Sequence, residues 1–116
     1  MPPRAPLLHF RVVFDARRAI GPGKIDLLEA VARTGSITAA ARAMRMSYKR
    51  AWQLIDELNH CFNTPLITTS KGGEHGGGAA LTAAGTKVIS IYRGIEQRAL
   101  RDSASGLRAL ARLRAR

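Results

Sequence analysis

Three short helical patterns follow one another between Lys24 and Pro65, and the residues between them stop one helix and start the next. Gly35 is placed to end the first helix, because glycine readily takes the left-handed conformation that closes a helix. Ser36 and Ser47 are placed to cap the second and third helices, since a serine hydroxyl accepts a hydrogen bond from a first-turn amide. Such short helices gain most of their stability by packing on one another. The segment therefore predicts a compact three-helix unit.

Each of the three patterns has one apolar face that would form a shared core. These positions are Ile25, Leu28, Val31 and Ala32 in the first helix, Ile37, Ala40, Ala41 and Met44 in the second, and Ala51, Ile55 and Leu58 in the third, with Leu54 at the edge. The alanines of the second helix permit the close approach of a neighbouring helix. Before this unit, apolar and polar residues alternate over residues 8–14, which predicts a half-buried strand.

A glycine-rich stretch, SKGGEHGGGAALT, runs from Ser70 to Thr82. It is not a P-loop, because no Gly-Lys-Ser/Thr occurs in the chain, and it lacks the third glycine of a dinucleotide-binding fingerprint. Residues 66–69 and 79–82 on either side favour β-structure, as at the tip of a hairpin. A β-hairpin after a three-helix unit predicts a mainly α fold with a small hairpin, a winged helix-turn-helix. The stretch is then the wing, with a mobile loop that touches nothing as the alternative.

The charge of the chain favours a polyanionic partner. Nineteen Lys and Arg residues against eight Asp and Glu residues give a net charge of +11. Double-stranded DNA is the first expectation and an anionic membrane surface the second. No apolar run approaches the ~18 residues that a transmembrane helix needs, so no membrane-spanning segment is expected. Of the two polyanions we expect DNA, and no membrane partner. The single cysteine, Cys61, cannot form an internal disulfide, which favours the cytoplasm.

In a helix-turn-helix, the first residues of the second, recognition helix enter the major groove, while the preceding helix crosses the DNA backbone. The expected DNA-binding residues lie on these two helices and in the wing: Thr38, Arg42, Ser47, Tyr48, Lys49, Arg50, Lys71, Gly72, Gly73 and His75. Three simpler readings stay open: Ser47 only caps its helix, Tyr48 only packs, and Arg50 is only solvated. For Trp52 we favour packing against the wing or a neighbouring helix over contact with DNA.

The stretch GSITAAARAMRMSYKRAWQLIDELN, together with SKGGEHGGGAALTAAG, resembles the DNA-binding domain of the molybdate-responsive transcriptional regulators of ModE type, relatives of the LysR-type winged helices. The resemblance extends from about Leu8 to Ala99. It implies a dimeric, sequence-specific transcriptional regulator. Members of that family sense molybdate through C-terminal oxyanion-binding domains. No such domain is expected within these 116 residues, so oxyanion sensing is not carried over. Any sensor is expected either on a separate chain of unknown identity or in residues that the sequence does not identify.

A further helical pattern after the wing has apolar residues on more than one side, which predicts a long C-terminal dimerisation helix. The expected dimer residues are Val88, Ile91, Tyr92, Ile95 and Ala99. Alternatively, this helix merely covers the core of its own chain. We expect residues 1–102 to form the DNA-binding and dimerisation domain. Residues 103–116 are expected to form a basic C-terminal tail, either a helical extension or a disordered end.

The sequence offers no support for catalysis. His9, His60 and His75 are scattered, and no histidine or cysteine spacing suits a metal site, so neither an enzyme, a cofactor nor a metal is expected. Two other functions compete with the regulator. One is an architectural, nucleoid-type protein that coats DNA with little sequence specificity. The other, more distant, is a protein-binding role in which the positive charge serves an acidic partner.

Overall fold

The computed structural model describes residues 8–73 and 76–115, and the side chains of residues 71–73 and 76–77 lie outside that description. Helices make up most of it, and the strands form two antiparallel pairs. The elements in chain order are β1 (Val12–Val13), β2 (Ala19–Ile20), α1 (Pro22–Thr34), α2 (Ile37–Ala43), α3 (Tyr48–Cys61), β3 (Ile67–Gly73), β4 (Gly76–Leu81), α4 (Ala83–Asp102) and α5 (Ala104–Leu113). This order confirms the predicted mainly α, winged helix-turn-helix fold.

The predicted helix ends are confirmed. Gly35 closes α1 with φ of 70°, in the left-handed region. The Ser36 hydroxyl accepts a hydrogen bond from the Ala39 amide at 3.1 Å, and the Ser47 hydroxyl accepts one from the Arg50 amide at 3.0 Å. Both serines therefore stabilise the first turn of their helix, whatever else they contact.

The core lies where α1, α2, α3, the wing and α4 meet. Most of the predicted core positions are buried, but Ala32 is exposed, and Leu27 and Ala30 are buried instead. The reason is that α1 contacts α2, α3, α4 and β4, so its buried sector is wider than one helical stripe and is shifted away from Ala32. Leu54, expected at the edge, is also buried.

The N-terminal strand is shorter than its sequence pattern. Of residues 8–14, only Val12 and Val13 form a strand, which pairs with β2 so that Val12 lies opposite Ile20. The alternation of half-buried and exposed side chains nevertheless extends back to Leu8. The turn between these strands is held by Asp15, whose carboxylate accepts hydrogen bonds from the amides of Arg17 and Arg18, both at 2.9 Å. The Arg18 guanidinium beside this carboxylate holds the pKa of Asp15 below its usual value.

The wing consists of β3 and β4, which run farther into the glycine-rich stretch than predicted. Ile67 pairs with Leu81 at the base, and the register shifts between Ser70 and Gly73. Asn59 of α3 anchors this base. Its side-chain oxygen accepts hydrogen bonds from the amides of Leu66 and Ile67 at 2.9 and 3.2 Å, and its side-chain nitrogen donates to the Ile67 carbonyl.

Tyr92 differs from its expected role in dimerisation. Its side chain is only 1% exposed, its ring stacks on Phe10 with centroids 5.1 Å apart, and its hydroxyl donates to the Phe10 carbonyl at 3.0 Å. The N-terminal segment thus covers the side of α4 on which Tyr92 lies. Tyr92 therefore packs in the core of its own chain.

Arg93, the next residue, links α4 to α1. Its guanidinium donates to Asp26 at 2.6 Å, to Glu29 at 2.5 Å and to Glu96 at 2.9 Å. Hydrogen bonds to these carboxylates, chiefly that of Glu29, raise the pKa of Arg93 above its ordinary value. No local sequence pattern indicates this cluster, since Asp26 and Glu29 lie more than sixty residues from Arg93.

The basic segment after Asp102 is a helical extension and not a disordered end, because α5 spans Ala104–Leu113. This helix has no buried residue, and Leu110 and Leu113 are largely exposed. None of the described helices combines the length and the apolar character needed to cross a membrane.

Candidate nucleic-acid interface

The turn between α2 and α3 sets the direction of the recognition helix. Arg45 has φ of 56°, an unusual value for a residue other than glycine. The amide of Met46 donates to the Ala41 carbonyl at 3.0 Å, which closes the end of α2. The chain then reverses into Ser47, and α3 begins at Tyr48. Met44 and Met46, both partly buried, pack against the core and hold this turn in place.

The first turn of α3 projects from the core. Tyr48, Lys49 and Arg50 are all exposed, as are Thr38 and Arg42 of α2. The buried side of α3 is formed instead by Ala51, Leu54, Ile55 and Leu58. The residues predicted to touch DNA therefore lie on the solvent-facing sides of the two helices.

The cations of this surface differ from those elsewhere in the described part of the chain. Among the described residues, none forms an ion pair with Arg42, Arg45, Lys49 or Arg50, whereas Arg18, Lys24 and Arg93 are all paired. The carboxylates of α3 lie in its second half, where Glu57 is 3.1 Å from Lys24 and Asp56 is beside His60. The N-terminal half of α3 is thus positive, and its C-terminal half is mixed.

The wing lies beside this surface. The Ala79 amide of β4 donates to the Gly35 carbonyl at 2.9 Å, which joins the wing to the corner between α1 and α2. A cleft of about 320 Å³ separates the wing from the two helices, and we call it the wing cleft. Its lining residues are Ser36, Ile37, Thr38, Tyr48, Trp52, Thr69, Ser70 and Gly78.

Trp52 lies at this cleft and not in the core. The residue is 38% exposed, and its ring meets the Tyr48 ring edge-on, with centroids 6.2 Å apart and an interplanar angle of 79°. The favoured expectation was packing against the wing or another helix. Trp52 shares the cleft with the wing residues Thr69, Ser70 and Gly78. Its aromatic contact is with Tyr48 of its own helix, one turn earlier.

Arg50 lies on the opposite flank of α3 from Trp52. It lines a separate depression of about 280 Å³, together with Arg11, Lys24, Leu54 and the Gly21–Gly23 segment at the start of α1. Lys24 is held there by Glu57 and by the Ala19 carbonyl at 3.0 Å. The structure therefore separates two predicted residues, Tyr48 and Arg50, onto the two sides of one helix.

The predicted residues of the wing tip are described only in part. Lys71, Gly72 and Gly73 belong to β3, and Gly73 pairs with Gly76. The side chain of Lys71 and the whole of His75 lie outside the described residues. Closer to the base, the Gly78 amide donates to the Ser70 hydroxyl at 3.2 Å, so the two strands are also joined by a side chain.

Gln53 is a further candidate that is not among the residues predicted above. It is exposed and lies one turn after Lys49 on the same face of α3, between the two flanks occupied by Trp52 and Arg50. The i, i+4 spacing from Lys49 was the available signal. Within the described part of the chain, no group of three or more His, Cys, Asp or Glu side chains is arranged to hold a metal ion.

Comparison with known sequences decides the family. The sequence profile of the bacterial regulatory helix-turn-helix proteins of the lysR family matches residues 23–86, more than half of the chain. The chain belongs to this family. The match begins within α1 and ends within α4, so the lysR-family segment contains α2, α3 and the wing.

Individual proteins of known name support the resemblance to the ModE type. The molybdenum-pterin-binding protein MopB of Rhodobacter capsulatus is 47% identical over 77 residues, covering 66% of this chain and 28% of MopB. The DNA-binding transcriptional dual regulator ModE of Escherichia coli K12 is 41% identical over 71 residues, covering 61% of this chain and 27% of ModE. The matched segments span less than a third of the length of either relative.

A solved structure supports the lysR-family fold. The CbnR DNA-binding domain, crystallised in complex with DNA, matches with a TM-score of 0.56 and 27% identity. The match covers 78% of this chain and 95% of the CbnR chain. The winged helix-turn-helix of the present chain is therefore an architecture that binds DNA in that relative.

Proposed function

We propose that this chain is a sequence-specific, double-stranded-DNA-binding transcriptional regulator that acts as a homodimer in the cytoplasm. The recognition helix α3 would enter the major groove with its first turns, and the wing would meet the DNA backbone or the minor groove. The observation that carries the proposal is a group of cations on the exposed side of a lysR-family helix-turn-helix that have no ion-pair partner among the described residues: Arg42, Arg45, Lys49 and Arg50.

Uncompensated surface cations favour a polyanion. Releasing the counterions condensed on DNA is the main source of its electrostatic affinity for proteins, and each Lys or Arg that meets a phosphate contributes to it. In this arrangement Thr38 and Arg42 would contact phosphates, while Lys49, Arg50 and Gln53 would reach base edges. Of the wing, we keep Lys71, Gly72, Gly73 and His75 as proposed backbone contacts. The proposal includes no catalytic step.

Dimerisation is supported by the exposed apolar side of α4. Ile91 and Ile95 are 53% and 37% exposed, one turn apart, and they border an apolar groove of about 220 Å³. Val88 and Ala99 are half-buried on the same helix. We propose that Val88, Ile91, Ile95 and Ala99 face a second copy, which would place two recognition helices roughly 34 Å apart, one turn of DNA.

The interface can be tested by charge insertion. Ile91→Glu is expected to convert the dimer to a monomer in sedimentation velocity measurements, because a buried unpaired carboxylate is costly. Gln97→Glu, an exposed position on the same helix, is the matched control and is expected to remain dimeric. A dimer that survives Ile91→Glu would place the interface elsewhere.

The central experiment is selection of genomic DNA fragments by the purified protein at near-physiological salt, followed by sequencing. The proposal expects a few enriched fragments that share an inverted repeat. Arg50→Ala should then relax the preference at defined positions, while Arg112→Ala should weaken binding to all sequences alike. Uniform recovery that disappears as salt rises would instead indicate the nucleoid-type coating protein, which the comparisons do not favour.

A further inference from the structure

An exposed aromatic pair is unusual on this otherwise polar and positive surface. Tyr48 is 54% exposed and Trp52 is 38% exposed, and both lie on the flank of α3 that faces the wing cleft. Among the described residues, none forms a hydrogen bond with the Tyr48 hydroxyl or the Trp52 indole N–H. The core of the chain is complete without either ring. Their exposure therefore points to a partner that covers them.

The surroundings of the pair are mostly polar, with Ile37 as the one other large apolar side chain among the described residues that line the cleft. Across the wing cleft stand the hydroxyl-bearing side chains of Thr38, Thr69 and Ser70. The two rings therefore form a small exposed apolar patch at the start of the recognition helix. When such a helix enters the major groove, side chains at this position reach the base edges. We call Tyr48 and Trp52 the aromatic pair.

The edges of the bases in the major groove carry hydrogen-bond donors and acceptors and a single kind of apolar group, the C5-methyl of thymine. We propose that the aromatic pair contacts a thymine C5-methyl and so determines specificity for thymine at one position of each half-site. This inference rests on the proposed function, since it assumes that α3 enters the major groove. It adds the recognition of one thymine to the polar and charged contacts with DNA that are proposed above.

The test removes the methyl group from the DNA and the rings from the protein. The full chain is used with the inverted repeat recovered by fragment selection. Each thymine of a half-site is replaced in turn by deoxyuridine, which lacks only the C5-methyl. Burial of one methyl group corresponds to about a three- to fivefold change in Kd, so one position should show a loss of that size.

The protein variants identify the group that reads the methyl. In Trp52→Gln and Tyr48→Ser, the difference between the thymine and deoxyuridine duplexes is expected to vanish at that position. Tyr48→Phe keeps the ring and is expected to keep the difference. Circular dichroism of each variant shows whether it is folded, and the deoxyuridine series on the unaltered protein tests the proposal even where a variant fails to fold.

Several results would overturn the inference. One is an affinity unchanged by deoxyuridine at every position, or a half-site without thymine. Another is a methyl effect that persists in both ring variants, because some other group would then read it. A third is an equal loss on both duplexes when the rings are removed, as expected for contact with the sugar–phosphate backbone. If selection returns no shared site at all, the proposed function itself fails, and this inference fails with it.

Discussion

Gly85, in the first turn of α4, lies directly against the carbonyl oxygen of Leu66 at the base of the wing, and a β-carbon on Gly85 would overlap that oxygen. The Thr82 hydroxyl caps the same turn by accepting a hydrogen bond from the Gly85 amide at 3.0 Å, and it donates to the Pro65 carbonyl at 2.7 Å. The start of α4 and the base of the wing are therefore packed as one piece. Any side chain at residue 85 must separate them.

Gly85→Ala is expected to lower the free energy of unfolding by about 1–3 kcal/mol, since the backbone of a well-packed region must shift to admit the methyl group. The matched control is Gly94→Ala in the same helix. There the nearest neighbour of a new β-carbon is the flexible end of Arg98 at 3.4 Å. Alanine at 94 is expected to add about 0.5–1 kcal/mol through helix propensity. Urea titrations measure the free energy of unfolding of both variants, and a Gly85→Ala variant as stable as Gly94→Ala would contradict the packing argument.

Arg93→Gln is expected to destabilise the chain by about 1–3 kcal/mol, because Asp26, Glu29 and Glu96 lose their shared cation and repel one another. The partial exposure of Asp26 and Glu29 keeps the loss below that of a fully buried pair. Since salt screens both attraction and repulsion, the loss should shrink between 0.05 and 0.5 M NaCl, a range of roughly threefold in Debye length.

The control for this cluster is Arg101→Gln, whose ion pair with Asp102 is long, 3.9 Å, and exposed. A change within about 0.5 kcal/mol is expected there. Thermal unfolding at the two salt concentrations compares the two variants. Equal effects at both positions would mean that the cluster does not hold α4 against α1.

The phenol of Tyr92 makes the free energy of unfolding depend on pH in the alkaline range. Burial raises the pKa of Tyr92 above its ordinary value of 10.0. As the pH rises, the unfolded chain therefore releases the phenolic proton before the folded chain does. The contribution of Tyr92 to the free energy of unfolding is complete below pH 10 and declines as the pH rises towards its pKa in the folded chain. Tyr92→Phe loses the hydrogen bond to Phe10, at a cost of about 0.5–1.5 kcal/mol at neutral pH.

The difference in stability between the unaltered chain and Tyr92→Phe should consequently narrow above pH 10. Comparing the two proteins cancels the titration of the lysines, which falls in the same range. Urea titrations at pH 7, 9 and 10.5 measure the difference. A constant difference across this range would show that the phenol is not shielded from solvent in the folded chain.

Gln53→Ala is expected to leave stability unchanged, because the side chain is exposed, and to relax the DNA preference at one position. An amide side chain pairs with adenine through two hydrogen bonds, which are worth about 1–3 kcal/mol of discrimination. Competition binding with single-base variants of the selected site measures the effect. Gln97→Ala on α4 is the control, and an equal effect of both variants would remove Gln53 from the interface.

The order and ends of the elements could be read from the sequence because they depend on local interactions. Ser36 and Ser47 cap the helices that follow them through bonds to amides three residues away. Gly35 ends α1 through its own backbone conformation. The wing followed from β-prone residues on both sides of the glycines. In each case the deciding partners lie close together in the chain, so the pattern of residues contains them.

Contacts between distant segments were decided by the tertiary structure. Tyr92 lies on the apolar side of α4, but only the N-terminal segment, more than eighty residues away, makes it a core residue. From the sequence, Arg93 is indistinguishable from an ordinary surface cation. The packing of α1 against α4 places Asp26 and Glu29 beside it. Helical periodicity gives the angle of a side chain around its helix axis. It does not identify the distant element that packs against that side of the helix.

The recognition helix shows the same division. Sequence alone determined that Tyr48, Lys49 and Arg50 stand at its start, and that Ala51, Ile55 and Leu58 face the core. Packing decided that Tyr48 and Trp52 face the wing cleft while Arg50 faces the start of α1. The physical reason is that the two flanks of α3 differ only in their neighbours. Those neighbours are placed by the hydrogen bond from Ala79 to Gly35 and by the fit of Gly85 against Leu66, which join segments far apart in the sequence.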